Sequence, residues 1–141
     1  MDMDYRKFGD TYAVRLAPGE EVCESLLALC KKEKLGAGTV SGIGAAGKAT
    51  LGVYRVAEQV YVSRSLEGEF EIASLMGNIS QQAGQPYLHL HAVLSDAGGG
   101  VYAGHLSEAY ISATAEIFIT TLQGELGRKR DERLGINLMV L

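Results

Sequence analysis

Residues 86–106 read PYLHLHAVLSDAGGGVYAGHL, and this stretch decides the fold. Tyr87 to Leu94 alternates with the period of a strand, placing Leu88, Leu90, Ala92 and Leu94 on one face and His89, His91 and Val93 on the other. Residues 95–100 (SDAGGG) are turn chemistry, since glycine adopts positive φ without a steric cost. Val101 to Leu106 then reads as a returning strand that carries His105. The loop count sets where that histidine goes. A three- or five-residue connection pairs odd-numbered residues with odd-numbered ones and puts His105 on the face of His89 and His91. A two- or four-residue connection sends it to the opposite face. The run Ala-Gly-Gly, or the longer Asp-Ala-Gly-Gly-Gly, fits the odd count, so His89, His91 and His105 are expected to converge.

Three imidazoles on one sheet face are donors suited to zinc or a similar divalent transition metal, and three protein ligands leave a position for water or substrate. The plainer alternative is a set of surface or interface histidines bonded to their neighbours. No histidine occurs elsewhere in the chain.

Working outward, Tyr12 to Leu16 is a short strand, and residues 17–19 (APG) turn the chain. Glu20 to Lys34 has Val22, Leu26, Leu29 and Cys30 at helical spacing, with glutamates at its start and lysines at its end, as the helix dipole favours. Gly36 is the expected stop. Ala37 to Ile43 reads as a strand that enters Gly42-Ile-Gly-Ala-Ala-Gly47. That run has the G-x-G-x-x-G spacing of a dinucleotide site, but a strand-like segment, residues 48–55, follows where a helix should begin. A glycine hairpin is expected instead. Tyr61 to Leu66 and Phe70 to Ile79 are two more strands, divided by a turn at residues 67–69, and residues 81–85 form a polar loop. Ile111 to Thr120 is a long strand. Residues 124–135 (GELGRKRDERLG) read as a solvated loop in which acids interleave the bases. Ile136 to Leu141 is apolar on both faces, which suits a central strand or a face against a second subunit.

The expected architecture is therefore α+β: a single compact domain over residues 1–141, with a mainly antiparallel sheet of about seven strands and one main helix. A net charge of −4 argues against autonomous nucleic-acid binding, which needs clustered Lys and Arg. No apolar run reaches membrane-spanning length, and charges stand at residues 1–10 where a signal peptide would be apolar, so a cytoplasmic protein is expected. Cys23 and Cys30 lie about 10 Å apart along the expected helix, too far for a mutual disulfide, and read as core fillers in a reducing compartment.

Three blocks of the chain resemble the plants and prokaryotes conserved (PPC) domain family. They are residues 15–47 (RLAPGEEVCESLLALCKKEKLGAGTVSGIGAAG), residues 66–80 (LEGEFEIASLMGNIS) and the histidine stretch itself. In the middle block Glu69 stands where the family commonly has arginine, and the histidines resemble the prokaryotic branch. The resemblance implies a homotrimer with the histidines as its metal site. Plant members attach AT-hooks to this domain, and no such motif occurs here. The DNA-binding label that prokaryotic members carry is an analogy that the charge balance opposes.

Two functions fit these residues. The favoured one is an oligomeric module that binds a small-molecule ligand or a partner. The alternative is a metal-dependent enzyme acting through a zinc-bound water. For the enzyme, Glu71, Glu108 and Asp96 are candidate general bases by nearness in sequence alone, and no catalytic residue is assigned.

Overall fold

Every ladder between two strands in the computed structural model, which describes residues 3–141, is antiparallel. The elements run β1 (Asp4–Phe8), β2 (Thr11–Leu16), α1 (Val22–Glu33), β3 (Gly38–Arg55), β4 (Val60–Gln82), β5 (Gln85–Ser95), β6 (Val101–Thr121), β7 (Arg128–Asp131) and β8 (Ile136–Met139). Six of them form one sheet in the order β1-β2-β6-β3-β4-β5, while β7 and β8 form a separate ribbon. The last strand of that order also pairs back onto β6, so β6, β3, β4 and β5 close on one another. The expected α+β domain, mainly antiparallel with one helix, is what the chain forms. Met1 and Asp2, within the reading of residues 1–10, lie outside the described residues; β1, which begins at Asp4, is a strand additional to those expected from the sequence.

The helix is placed by one carboxylate. Glu21 caps α1 by accepting from the Glu24 backbone N–H at 2.7 Å, and its other oxygen accepts from the Ala109 N–H of β6 at 2.8 Å. Lys34, with φ of 55°, ends the helix, so the stop falls two residues before Gly36. The face so positioned packs Val22, Leu26, Leu29 and Cys30 into one apolar cluster with Leu90, Leu94, Ile117 and Ile119. Each of these larger side chains contributes about 1.5–3 kcal/mol through burial. The helix lies against β5 and β6.

Two expected turns do not exist. Residues 42–47 lie inside β3, which runs on through them with two register shifts. The glycines serve close strand packing instead: a β-carbon on Gly44 would lie 2.6 Å from the Thr114 carbonyl oxygen of β6. Residues 67–69 are likewise internal to β4, a single strand where two were expected. The polar loop expected at residues 81–85 tightens to Ala83 and Gly84, both with positive φ, between the paired Gln82 and Gln85.

The C-terminal segment also departs from expectation. Part of the charged stretch is strand β7, paired to β8 with Arg128 opposite Met139. Ile136 to Met139 is thus half of a peripheral ribbon, so the central-strand alternative is overturned. No helix among the described residues is long and apolar enough to cross a membrane.

Candidate metal centre

The histidine hairpin takes the odd register. Ser95 pairs with Val101 across a five-residue connection, which places His91 directly opposite His105. His89 lies two residues along β5 from His91 and therefore on the same face. One potential ligand atom from each of the three lies within 4.8 Å of those of the other two. Ring centroids are 5.1 Å apart for His89–His91, 5.5 Å for His89–His105 and 5.9 Å for His91–His105. The donor spread is a little wider than the roughly 3.4 Å between nitrogens on a tetrahedral zinc, a gap that an ion would draw in.

The environment suits a cation held by neutral imidazoles. Burial, and then the charge of the neighbouring His91, pulls the His105 pKa below the usual histidine value. His89 is lowered by burial first, then by His91, His105 and the Arg128 guanidinium. Both side chains therefore resist protonation and keep lone pairs available for a metal. The Nδ1 atom of His105 is buried without a hydrogen-bond partner, an orphan that coordination would satisfy. Tyr61 packs its ring 4.8 Å from that of His105. Burial, followed by Tyr87 and Tyr54, raises the Tyr61 phenol, which stays a neutral donor.

The carboxylates considered as general bases are engaged elsewhere. Asp96 closes the hairpin loop, accepting from the Gly98 and Gly100 N–H groups and from the Tyr102 hydroxyl. The Gly100 bond, ahead of Tyr102, holds its pKa down. Glu108 accepts from Thr50 Oγ1 at 3.1 Å and lies 3.9 Å from Lys48 Nζ. Glu71 is exposed on β4, paired across the strands with Ser95. None of the three joins the cluster of ring nitrogens.

What sequence reasoning missed is the ribbon that borders the histidines. Arg128 of β7 donates to Asn78 Oδ1 at 2.7 Å and Ser80 Oγ at 2.8 Å, both on β4, and its guanidinium lies 4.9 Å from the centre of the Tyr87 ring. Asn78 is the cross-strand neighbour of His89, so Arg128 reaches the histidine face. The only hint available was the period-2 placement of Arg128 and Arg130 between glycines, which the surrounding charge obscured.

Among the described residues, large apolar side chains stand exposed on this face. Met76 is the cross-strand partner of His91 and stands 60% exposed. Ser41 separates it from Phe118, which is 50% exposed, and Ile43 nearby is 57% exposed. The histidines thus share their sheet face with an apolar patch.

Comparison with known proteins bears out the fold. The Plants and Prokaryotes Conserved (PCC) domain matches residues 3–123. A crystal structure of a candidate DNA-binding protein from Bacteroides thetaiotaomicron superposes with a TM-score of 0.95 at 30% identity, covering 98% of this chain and 96% of that one. A metal-containing protein from Archaeoglobus fulgidus gives 0.88 at 30% identity over 100% and 99% of the two chains. Among curated proteins, the bifunctional protein GlmU of Synechococcus sp. (strain JA-3-3Ab) is 32% identical over 127 residues. That match covers 88% of this chain and 19% of the relative, so the chain spans about a fifth of the length of the curated protein it resembles.

Proposed function

Because the chain belongs to the Plants and Prokaryotes Conserved (PCC) domain family, we propose that it is a metal-bearing module that binds a small ligand or partner and assembles from copies of itself. The observation that carries this reading is the convergence of His89, His91 and His105 on one sheet face, with no carboxylate in the group. Zinc is the expected ion, because neutral imidazoles in a three-donor set suit it. The Archaeoglobus relative, described as metal-containing, supports a metal here. Elemental analysis of untagged protein should return about one zinc per chain, and His91→Ala should remove most of it. Full retention of metal by the His89→Ala, His105→Ala double variant would overturn the assignment, since a single imidazole does not hold zinc against buffer.

The exposed Ile43, Met76 and Phe118 support self-assembly, as one helix leaves this sheet face to be covered by something else. A homotrimer is the proposed form. Light scattering should then give about 45 kDa, three times the 15.1 kDa chain. A monomer at micromolar concentration counts against it. Free Cys23 and Cys30 support a reducing, cytoplasmic setting, which cell fractionation checks.

One feature favours a second reading, in which the module is an enzyme: three protein donors leave a metal position for an activated water. Against it, Asp96 and Glu108 are committed to other partners. Turnover of esters, amides or phosphoesters that chelator and His105→Ala both abolish would favour the enzyme. The DNA-binding description stays with the Bacteroides relative, because a net charge of −4 gives this chain little attraction to phosphate backbones. A salt-dependent shift of duplex DNA by the purified protein would contradict that.

A further inference from the structure

Beside the histidines lies a cavity of about 200 Å³ whose wall includes Tyr61, Tyr87, His89, His105, Arg128 and Arg130. Among the described residues no carboxylate lines it. Arg128 stands there as a fixed cation. Of the five N–H donors of a guanidinium, three are taken by neutral acceptors: Ser80 Oγ at 2.8 Å, Asn78 Oδ1 at 2.7 Å and the Asn137 carbonyl at 3.3 Å. Two N–H groups remain. Among the described residues no carboxylate pairs with Arg128.

Withdrawing a guanidinium partly from water costs free energy that a structural pair offsets with Asp or Glu. Here the charge is left without a counterion while three hydrogen bonds and the Tyr87 ring hold its orientation. Anchoring the ribbon would not by itself require a charge. Arg130 adds a second positive group, paired with the exposed Glu132 at 3.8 Å. A planar guanidinium with two spare donors is suited to the oxygens of a carboxylate or phosphate.

Resting on the metal reading above, we propose that this cavity is an oxyanion subsite. The ligand is a small anion, carboxylate or phosphate, whose oxygens engage the spare donors of Arg128 beside the three histidines. The volume selects for size, since it is below the roughly 300–1,000 Å³ typical of pockets for drug-sized ligands.

The test uses cobalt(II) as a spectroscopic stand-in for zinc in the full chain, titrated with inorganic phosphate in one arm and acetate in the other. At millimolar concentration at least one anion should shift the visible cobalt bands. An effect of phosphate alone assigns a phosphoryl ligand, and an effect of acetate alone a carboxylate. Arg128→Gln should weaken that effect at least about tenfold while leaving cobalt affinity within about threefold. Arg128→Lys, which keeps the charge without the fork, should fall between. Equal anion affinity in wild type and Arg128→Gln overturns the subsite, as does no response to either anion. Should cobalt fail to bind, the metal reading falls separately, and the subsite is decided on metal-free protein by the Arg128 Nη–H resonance, followed at low temperature during phosphate and acetate titrations. A saturable shift of that resonance supports the subsite, and a constant position overturns it. The same resonance in wild type decides the matter if both Arg128 variants prove unfolded by circular dichroism.

Discussion

Gly77 on β4 and His89 on β5 approach so closely that a β-carbon on the glycine would lie 1.9 Å from the His89 carbonyl oxygen. The obstacle is backbone, which cannot swing aside as a flexible side chain does. The position of the first histidine is therefore set by the absence of a side chain across the ladder.

Gly77→Ala should displace β5 and cost about 1–3 kcal/mol of stability, the usual penalty of forcing atoms into a packed interior. Because His89 rides on that strand, zinc affinity should fall in the same variant. Urea denaturation and a competitive zinc titration measure the two effects. An unchanged urea midpoint would show that the strands separate without penalty.

The metal-free protein should lose stability on acidification. Burial holds the His89 and His105 pKa values below the ordinary histidine value of about 6.5, so the unfolded chain takes up protons that the folded chain refuses. Stability then rises with pH between the lowered folded values and 6.5, and is flat above. Replacing both residues by Gln should flatten the denaturation midpoint between pH 5 and pH 7, roughly the span of histidine titration. A slope that survives the replacement would assign it to other groups.

Both thiols should be silent in the native protein. Burial, then the nearby Glu21 carboxylate, pushes the Cys23 thiol up to about 12, and burial pushes Cys30 up to about 11. At pH 8 less than about one molecule in a thousand carries the nucleophilic thiolate at either site. A chromogenic disulfide reagent should therefore react with both only after denaturant is added. Rapid labelling of Cys23 in buffer alone would refute this.

Glu21→Ala should cost about 2 kcal/mol or more, because it removes a helix cap and strands the buried Ala109 N–H at once. Glu21→Gln keeps one acceptor and should cost less. Denaturant midpoints of the two variants rank the effect; equal midpoints for Ala and wild type would show that α1 needs no fastening.

The parts legible in sequence were those whose signals are local. Alternation fixed the faces of residues 87–94, and the parity of a five-residue glycine loop brought His105 opposite His91. The helix announced itself through Val22, Leu26, Leu29 and Cys30, all on its buried side, although not the strands they meet. The illegible parts depend on distant partners. Glycine at residues 42–47 signals a turn and a tight strand approach equally well, and only the presence of β6 at Thr114 and Ala115 selects the second. Arg128 likewise looked solvated until Asn78 and Ser80, some fifty residues earlier, supplied its acceptors.

Strand β6 gives the chain a timetable. It pairs with β2, β3 and β5, and its register sets Thr11 against Thr120. As the polypeptide leaves the ribosome, β2 must wait through more than a hundred residues before its partner emerges, and the histidines at 89 and 91 wait for 105. Long-range pairing of this kind is slow to form because the loop must close before any contact repays it. The nascent segment carrying β2 and α1, with its apolar faces uncovered, is thus the form that chaperones would meet, and the three histidines can come together only once residue 105 has emerged.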